Sequence, residues 1–113
     1  MTMLLERTSV DVCGYDELPV ERGVRVLVGD AHVAVFRTYD GSVHAIDAVD
    51  PFSGASVLAH GIVGTRDTEP VVASPMYKQR FDLRTGSCLD DPSVSVCVYP
   101  VEVCDGRVRV GSP

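Results

Sequence analysis

Apolar and polar residues alternate in short runs along most of the chain, and turn-forming residues close each run. Thr8–Cys13 alternates with the period of two that turns one strand face toward a core, and predicts a first strand. Tyr15–Pro19 predicts one helical turn: Asp16 and Glu17 stand where such a turn begins, and the residue before Pro19 resists helical geometry. Gly23–Val28 sets Val24, Val26 and Val28 in alternation, Gly29-Asp30 turns the chain, and His32–Thr38 alternates again. Asp40-Gly41 marks a hairpin, because glycine accepts the positive φ of a tight primed turn, and Val43–Asp47 is the returning strand.

From Ala48 to Glu69 the pattern changes to Gly, Ser and Asp, with apolar islands only at Val57-Leu58 and Ile62-Val63. This predicts a long ordered loop with room for one short strand, and loops of such length in a compact domain usually carry function. Pro70–Ala73 predicts a short buried strand, Ser74–Gln79 a second loop, and Arg80–Leu83 a strand that turns at Arg84-Thr85-Gly86. Ser93–Val98 and Tyr99–Val103 read as β-rich, and Asp105-Gly106 predicts a hairpin into Arg107–Val110. The sum is one all-β domain over residues 1–113, an antiparallel β-sandwich of about eight to ten short strands.

Composition supports the strands. Valine occurs 21 times, against 7 Leu and 7 Ala, and branching at Cβ suits a pleated surface. Among 113 residues, 45% are hydrophobic and 23% charged, which excludes wholesale disorder. With 10 basic and 16 acidic residues the net charge is -6, and Lys78 is the only lysine. Nucleic acid and anionic membrane surfaces both require clustered cations, so neither is an expected partner. No apolar run approaches the roughly 20 residues of a membrane span. The apolar start at Met1–Leu5 is broken by Glu6, too short for a signal-peptide core, so a cytoplasmic chain is expected. Cys13, Cys88, Cys97 and Cys104 are then expected to be reduced, and their spacing offers no structural zinc site.

Two loop segments share a layout. One is Ile46-Asp47-Ala48-Val49-Asp50-Pro51-Phe52-Ser53-Gly54-Ala55; the other is Val72-Ala73-Ser74-Pro75-Met76-Tyr77-Lys78-Gln79, running into Arg80-Phe81-Asp82-Leu83-Arg84-Thr85-Gly86. These segments, with Val43–Asp47 before the first loop and the closing hairpin at Asp105-Gly106, resemble the Rieske iron–sulfur (ISP) domain over about Val10 to Val110. That resemblance implies a Rieske-like sandwich with two protruding loops, one carrying Cys-x-His and the other Cys-x-x-His as cluster ligands. In register, those four positions hold Asp50, Phe52, Ser74 and Tyr77. A Rieske centre needs two thiolates on one iron and two imidazoles on the other. Phenylalanine has no lone pair to give, and Asp, Ser and Tyr are hard oxygen donors, poorly matched to such iron. The residue chemistry therefore predicts a domain without a cluster, with no metal and no catalytic residue of its own.

Asp50–Ala55, Gly61-Ile62-Val63-Gly64, Ser74–Gln79 and Cys88-Leu89-Asp90-Asp91-Pro92 resemble one group in particular, the small subunits of NAD(P)H-dependent assimilatory nitrite reductases. The resemblance implies a two-part cytoplasmic enzyme of nitrate assimilation that reduces nitrite to ammonium. Its large subunit, the implied partner, carries FAD, sirohaem and an iron–sulfur cluster. The small subunit would then dock on, order or shield the large one, with Phe52, Met76 and Tyr77 as apolar anchors and Lys78 and Gln79 as a polar rim. Equally, Phe52 and Tyr77 could plug the space left by a cluster, and Asp50 and Ser74 could make local loop hydrogen bonds. His60 lies eight positions beyond the ligand register, and His32 and His44 accompany strands away from any cysteine. Two other classes stay open: a Rieske-type ferredoxin that shuttles electrons, against which the ligand positions argue, and a stand-alone β-sandwich interaction module.

Overall fold

A computed structural model describes residues 9–66, 69–76 and 78–111. Met1–Thr8 and Tyr77 lie outside the described residues, and with them the beginning of the expected first strand and one expected anchor. Among the described residues, ten strands run in chain order: β1 Val10–Gly14, β2 Arg22–Val28, β3 Ala31–Arg37, β4 Val43–Asp47, β5 Ile62–Arg66, β6 Glu69–Ala73, β7 Arg80–Asp82, β8 Val98–Tyr99, β9 Val101–Cys104 and β10 Arg107–Val110. Single 3-10 turns occupy Tyr15–Glu17 and Leu58–His60, the first of them where the acidic pair predicts a helical start.

The strands form three antiparallel sheets, ordered β1-β10-β9, β2-β3-β4-β8 and β5-β6-β7. The middle sheet is the spine. Ala34, Phe36 and Ile46 face one core with Leu58, Val72, Phe81 and Leu83, and thereby meet the β5-β6-β7 sheet. Val33, Val35 and Ala45 face a second core with Leu18, Tyr99, Val108 and Val110, and thereby meet the β1-β10-β9 sheet. Burial on both faces explains why Val33–Phe36 is an unbroken apolar run rather than an alternating one. A two-layer sandwich would wet one face of β3; here both are dry.

The long Ala48–Glu69 stretch contains the one short strand for which the sequence leaves room, β5, paired with β6 from Ile62↔Ala73 to Arg66↔Glu69. One sequence expectation changes: Ser93–Val98 is not a strand, since Asp91 accepts from Ser93 N at 3.1 Å and Ser93 Oγ at 2.6 Å, making a turn, and only Val98 enters β8. Short polar side chains that bond their own backbone outcompete a ladder there. The Arg80–Gly86 tail closes as expected. Asp82 Oδ1 accepts from Arg84 N at 2.7 Å and Thr85 N at 3.2 Å. Gly86 sits at φ +79, where an added Cβ would lie 2.2 Å from the Val96 carbonyl, so the position demands glycine.

Candidate functional site

β4 delivers the chain to the first loop, and β6 and β7 flank the second. Both loops fold by the same rule. In the first, Asp50 N donates to Ala55 O at 2.8 Å and Gly54 N donates to Asp50 O at 2.7 Å. Asp50 Oδ1 accepts from Phe52 N at 2.8 Å. In the second, Ser74 N donates to Gln79 O at 2.8 Å and Lys78 N donates to Ser74 O at 3.0 Å. Ser74 Oγ accepts from Met76 N at 3.2 Å. Asp50 thus matches Ser74, Phe52 matches Met76, Gly54 matches Lys78 and Ala55 matches Gln79. The matched fifth residues share a left-handed backbone, with φ +75 at Gly54 and +64 at Lys78. Asp and Ser at the loop starts are the residue types whose side chains bond the backbone two residues on.

The matched starts meet. Ser74 Oγ donates to Asp50 Oδ2 at 2.5 Å, and the two residues are 1% and 0% exposed. Both carboxylate oxygens of Asp50 are therefore engaged, as a buried polar group requires. The expectation of local loop bonds covers half of this arrangement; the bond between the loops was not read from the sequence. The signal was present, in an Asx- or Ser-type start followed four residues later by a left-handed position. Glycine announces that position in the first loop and Lys78 conceals it in the second.

The other candidate residues divide. Phe52 is half-buried and packs on the core, its ring centroid 6.3 Å from that of Phe81 at an interplanar angle of 47°. Among the described residues Phe81 is its ring partner; Tyr77, the expected one, lies outside them. Met76 is 48% exposed and Lys78 points to solvent. Gln79 turns inward: its Oε1 is buried and, among the described residues, has no hydrogen-bond partner. Beside the first loop, Val49 is exposed, as is Leu27 on β2. Ser56 Oγ lies 3.4 Å from both Arg25 Nη1 and His32 Nδ1. His60 is exposed on its 3-10 turn.

Ion pairs and hydrogen bonds hold the supporting strands. Arg80 pairs with Asp90 at 2.9 Å, and Arg84 pairs with Glu69. Asp47, the last residue of β4, accepts from Tyr99 Oη at 2.8 Å and from Cys97 N at 3.2 Å. Burial, aided by the Asp47 carboxylate that accepts a hydrogen bond from the protonated phenol and repels its anion, pushes the Tyr99 phenol up to about 12. Burial pushes the His44 imidazole down.

A β scaffold presenting two matched loops is the architecture of a Rieske-like domain. The family model for the Rieske-like [2Fe-2S] domain matches residues 8–111. The nitrite reductase (NADH) small subunit of Escherichia coli K12 is 44% identical over 101 residues, covering 88% of this chain and 94% of that protein. A crystal structure assigned as an NADH-dependent nitrite reductase small subunit from Mycobacterium tuberculosis superposes with a TM-score of 0.90 at 53% identity, covering 93% of this chain and 95% of the other. The nitrite reductase NAD(P)H large subunit of Klebsiella oxytoca is 40% identical over 101 residues, which are 89% of this chain but 10% of that protein. The chain belongs to the Rieske-like [2Fe-2S] domain family and, within it, to the nitrite reductase small subunits.

Asp50, Phe52 and Ser74, which the resemblance sets in the ligand register, do not fit the group for which the family is named. Asp50 spends both oxygens on Phe52 N and Ser74 Oγ. The Ser74 hydroxyl donates to Asp50 and accepts from Met76. Phe52 has only carbon to offer. The four cysteines stand elsewhere, with Cys88 buried in the core shared with Phe81 and the other three at Cys13, Cys97 and Cys104. Among the described residues, no three or more His, Cys, Asp or Glu side chains gather as a metal group.

Proposed function

We propose that this chain is a cluster-free small subunit of a cytoplasmic NAD(P)H-dependent nitrite reductase and acts by docking on the large subunit. That partner, in this reading, carries the FAD, sirohaem and iron–sulfur cluster and performs the reduction of nitrite to ammonium. The observation that carries the reading is the Klebsiella oxytoca relative, in which a 101-residue match to this chain accounts for 10% of a protein named as a large subunit. A domain found within the large polypeptide in one organism and as a separate chain in another works in contact with the remainder. The ligand positions supply the other half: a domain whose loop side chains are spent on hydrogen bonds contributes shape rather than electrons.

The docking surface in this reading is the loop tip. Met76 and Lys78 face outward, Phe52 contributes one edge, and the exposed Val49 extends the apolar area. Gln79, turned inward, supports the second loop rather than forming the rim. Unpaired thiols at all four cysteines agree with a reducing compartment. No described helix is long and apolar enough to cross a membrane.

Co-purification tests the reading. The chain is expected to bind the large subunit, to carry no stoichiometric iron or sulfide when purified alone, and to lose affinity when Met76→Glu and Lys78→Glu are combined. Full retention of binding by that double variant would remove the tip as the docking surface. Stoichiometric iron and sulfide would remove the cluster-free assignment.

A further inference from the structure

We propose that the Asp50–Ser74 side-chain bond has taken over a mechanical task that a cluster performs in such a scaffold: it ties the two loops at their matching positions into one tip. A cluster bonded from both loops crosslinks them. Here the crosslink is a 2.5 Å hydrogen bond between the first residues of two loops with the same internal bonding. Those residues are 24 positions apart in sequence, so nothing local brings them together.

The bond is the centre of a continuous chain. Phe52 N donates to Asp50 Oδ1, Ser74 Oγ donates to Asp50 Oδ2, and Met76 N donates to Ser74 Oγ. One end of that chain is the backbone of the first loop and the other is the backbone of the second. Every polar atom in it is satisfied, and near-complete burial keeps water from competing for the central bond. Among the described residues, none of the ion pairs involves Asp50, so the tie rests on this geometry and not on a counter-charge. The mutual positions of Phe52 and Met76 follow from it, and they hold whatever the tip contacts.

Amide hydrogen exchange on the intact chain, followed residue by residue, tests the tie without any partner. The informative response is the one that crosses between loops. Ser74→Ala is expected to accelerate exchange at Asp50, Phe52 and Gly54 in the first loop by about tenfold or more, leaving β3 amides unchanged. Asp50→Ala, which removes both acceptor oxygens, is expected to accelerate Ser74 and Lys78 in the second loop. Ser74→Thr, which keeps the hydroxyl, is expected to restore protection in the first loop. Should one of these two variants not fold, the response of the other decides alone. Acceleration confined to the mutated loop in either variant overturns the proposal. A tip that proves tied yet does not bind the large subunit leaves this inference standing and removes only the docking function.

Discussion

Phe52→Ala separates a plugging ring from a docking ring, because only the first contributes to the stability of the isolated chain. Truncating a fully buried phenylalanine costs about 3–5 kcal/mol, from lost transfer free energy and the cavity left behind. Phe52 is half-buried, against the fully buried Phe81 and the core of Phe36, Ile46 and Leu58. Half of that range is about 2 kcal/mol, and it includes the tilted contact with Phe81, a geometry worth roughly 0.5–1.5 kcal/mol. For a chain of this length the loss corresponds to a fall in Tm of about 8 °C. Urea denaturation of the isolated chain measures it, with an unchanged slope certifying that the loss is one of stability. Phe81→Ala, at the centre of the same core, serves as the upper reference at about 3–5 kcal/mol. The double variant should fall short of the sum of the singles by the worth of the ring pair. A loss below about 0.5 kcal/mol for Phe52→Ala, the range of an ordinary surface change, would refute the reasoning and return the whole ring to the partner surface.

Gly23→Ala would put a Cβ 2.4 Å from Ala59 O and 2.6 Å from the Phe36 ring, and backbone cannot yield as a side-chain tip can. A loss of about 3 kcal/mol is expected in thermal unfolding, at the upper end for overpacking, and a wild-type Tm would contradict the close packing of β2 on the Leu58–His60 turn. The Tyr99 phenol, pushed up to about 12, gives a signed pH effect. Its neutral form is favoured by folding, so its contribution is complete below the unfolded value near 10 and is lost as the pH rises from about 10 to about 12. Wild type should therefore lose more stability across that window than Tyr99→Phe, and parallel stability curves would exclude the shift. Restoring the ligand chemistry in register, with Asp50→Cys, Phe52→His, Ser74→Cys and Tyr77→His together, should let the chain take up iron and sulfide during reconstitution, with visible absorbance. A colourless product from a variant that still folds would show that the loops no longer hold a cluster geometry.

The sequence by itself determined the local elements and the chemistry of the loops. Period-two runs, Asp-Gly hairpins and the wealth of valine specify strands and turns, because strand pleat and turn dihedrals depend on neighbours along the chain. The donor chemistry of Asp50, Phe52, Ser74 and Tyr77, the residues that the resemblance sets in the ligand register, is likewise read from the sequence, because it belongs to residue type. What only the tertiary structure decided concerns residues that meet across sequence. It gave Val33–Phe36 two dry faces by stacking a sheet on each, and it chose β6 as the partner of the short strand β5. It chose Phe81 as the ring against Phe52 and brought the Asp50 carboxylate to the Ser74 hydroxyl. Such partners are selected by sheet packing and by the need to satisfy buried polar groups, and neither leaves a periodic trace in the chain.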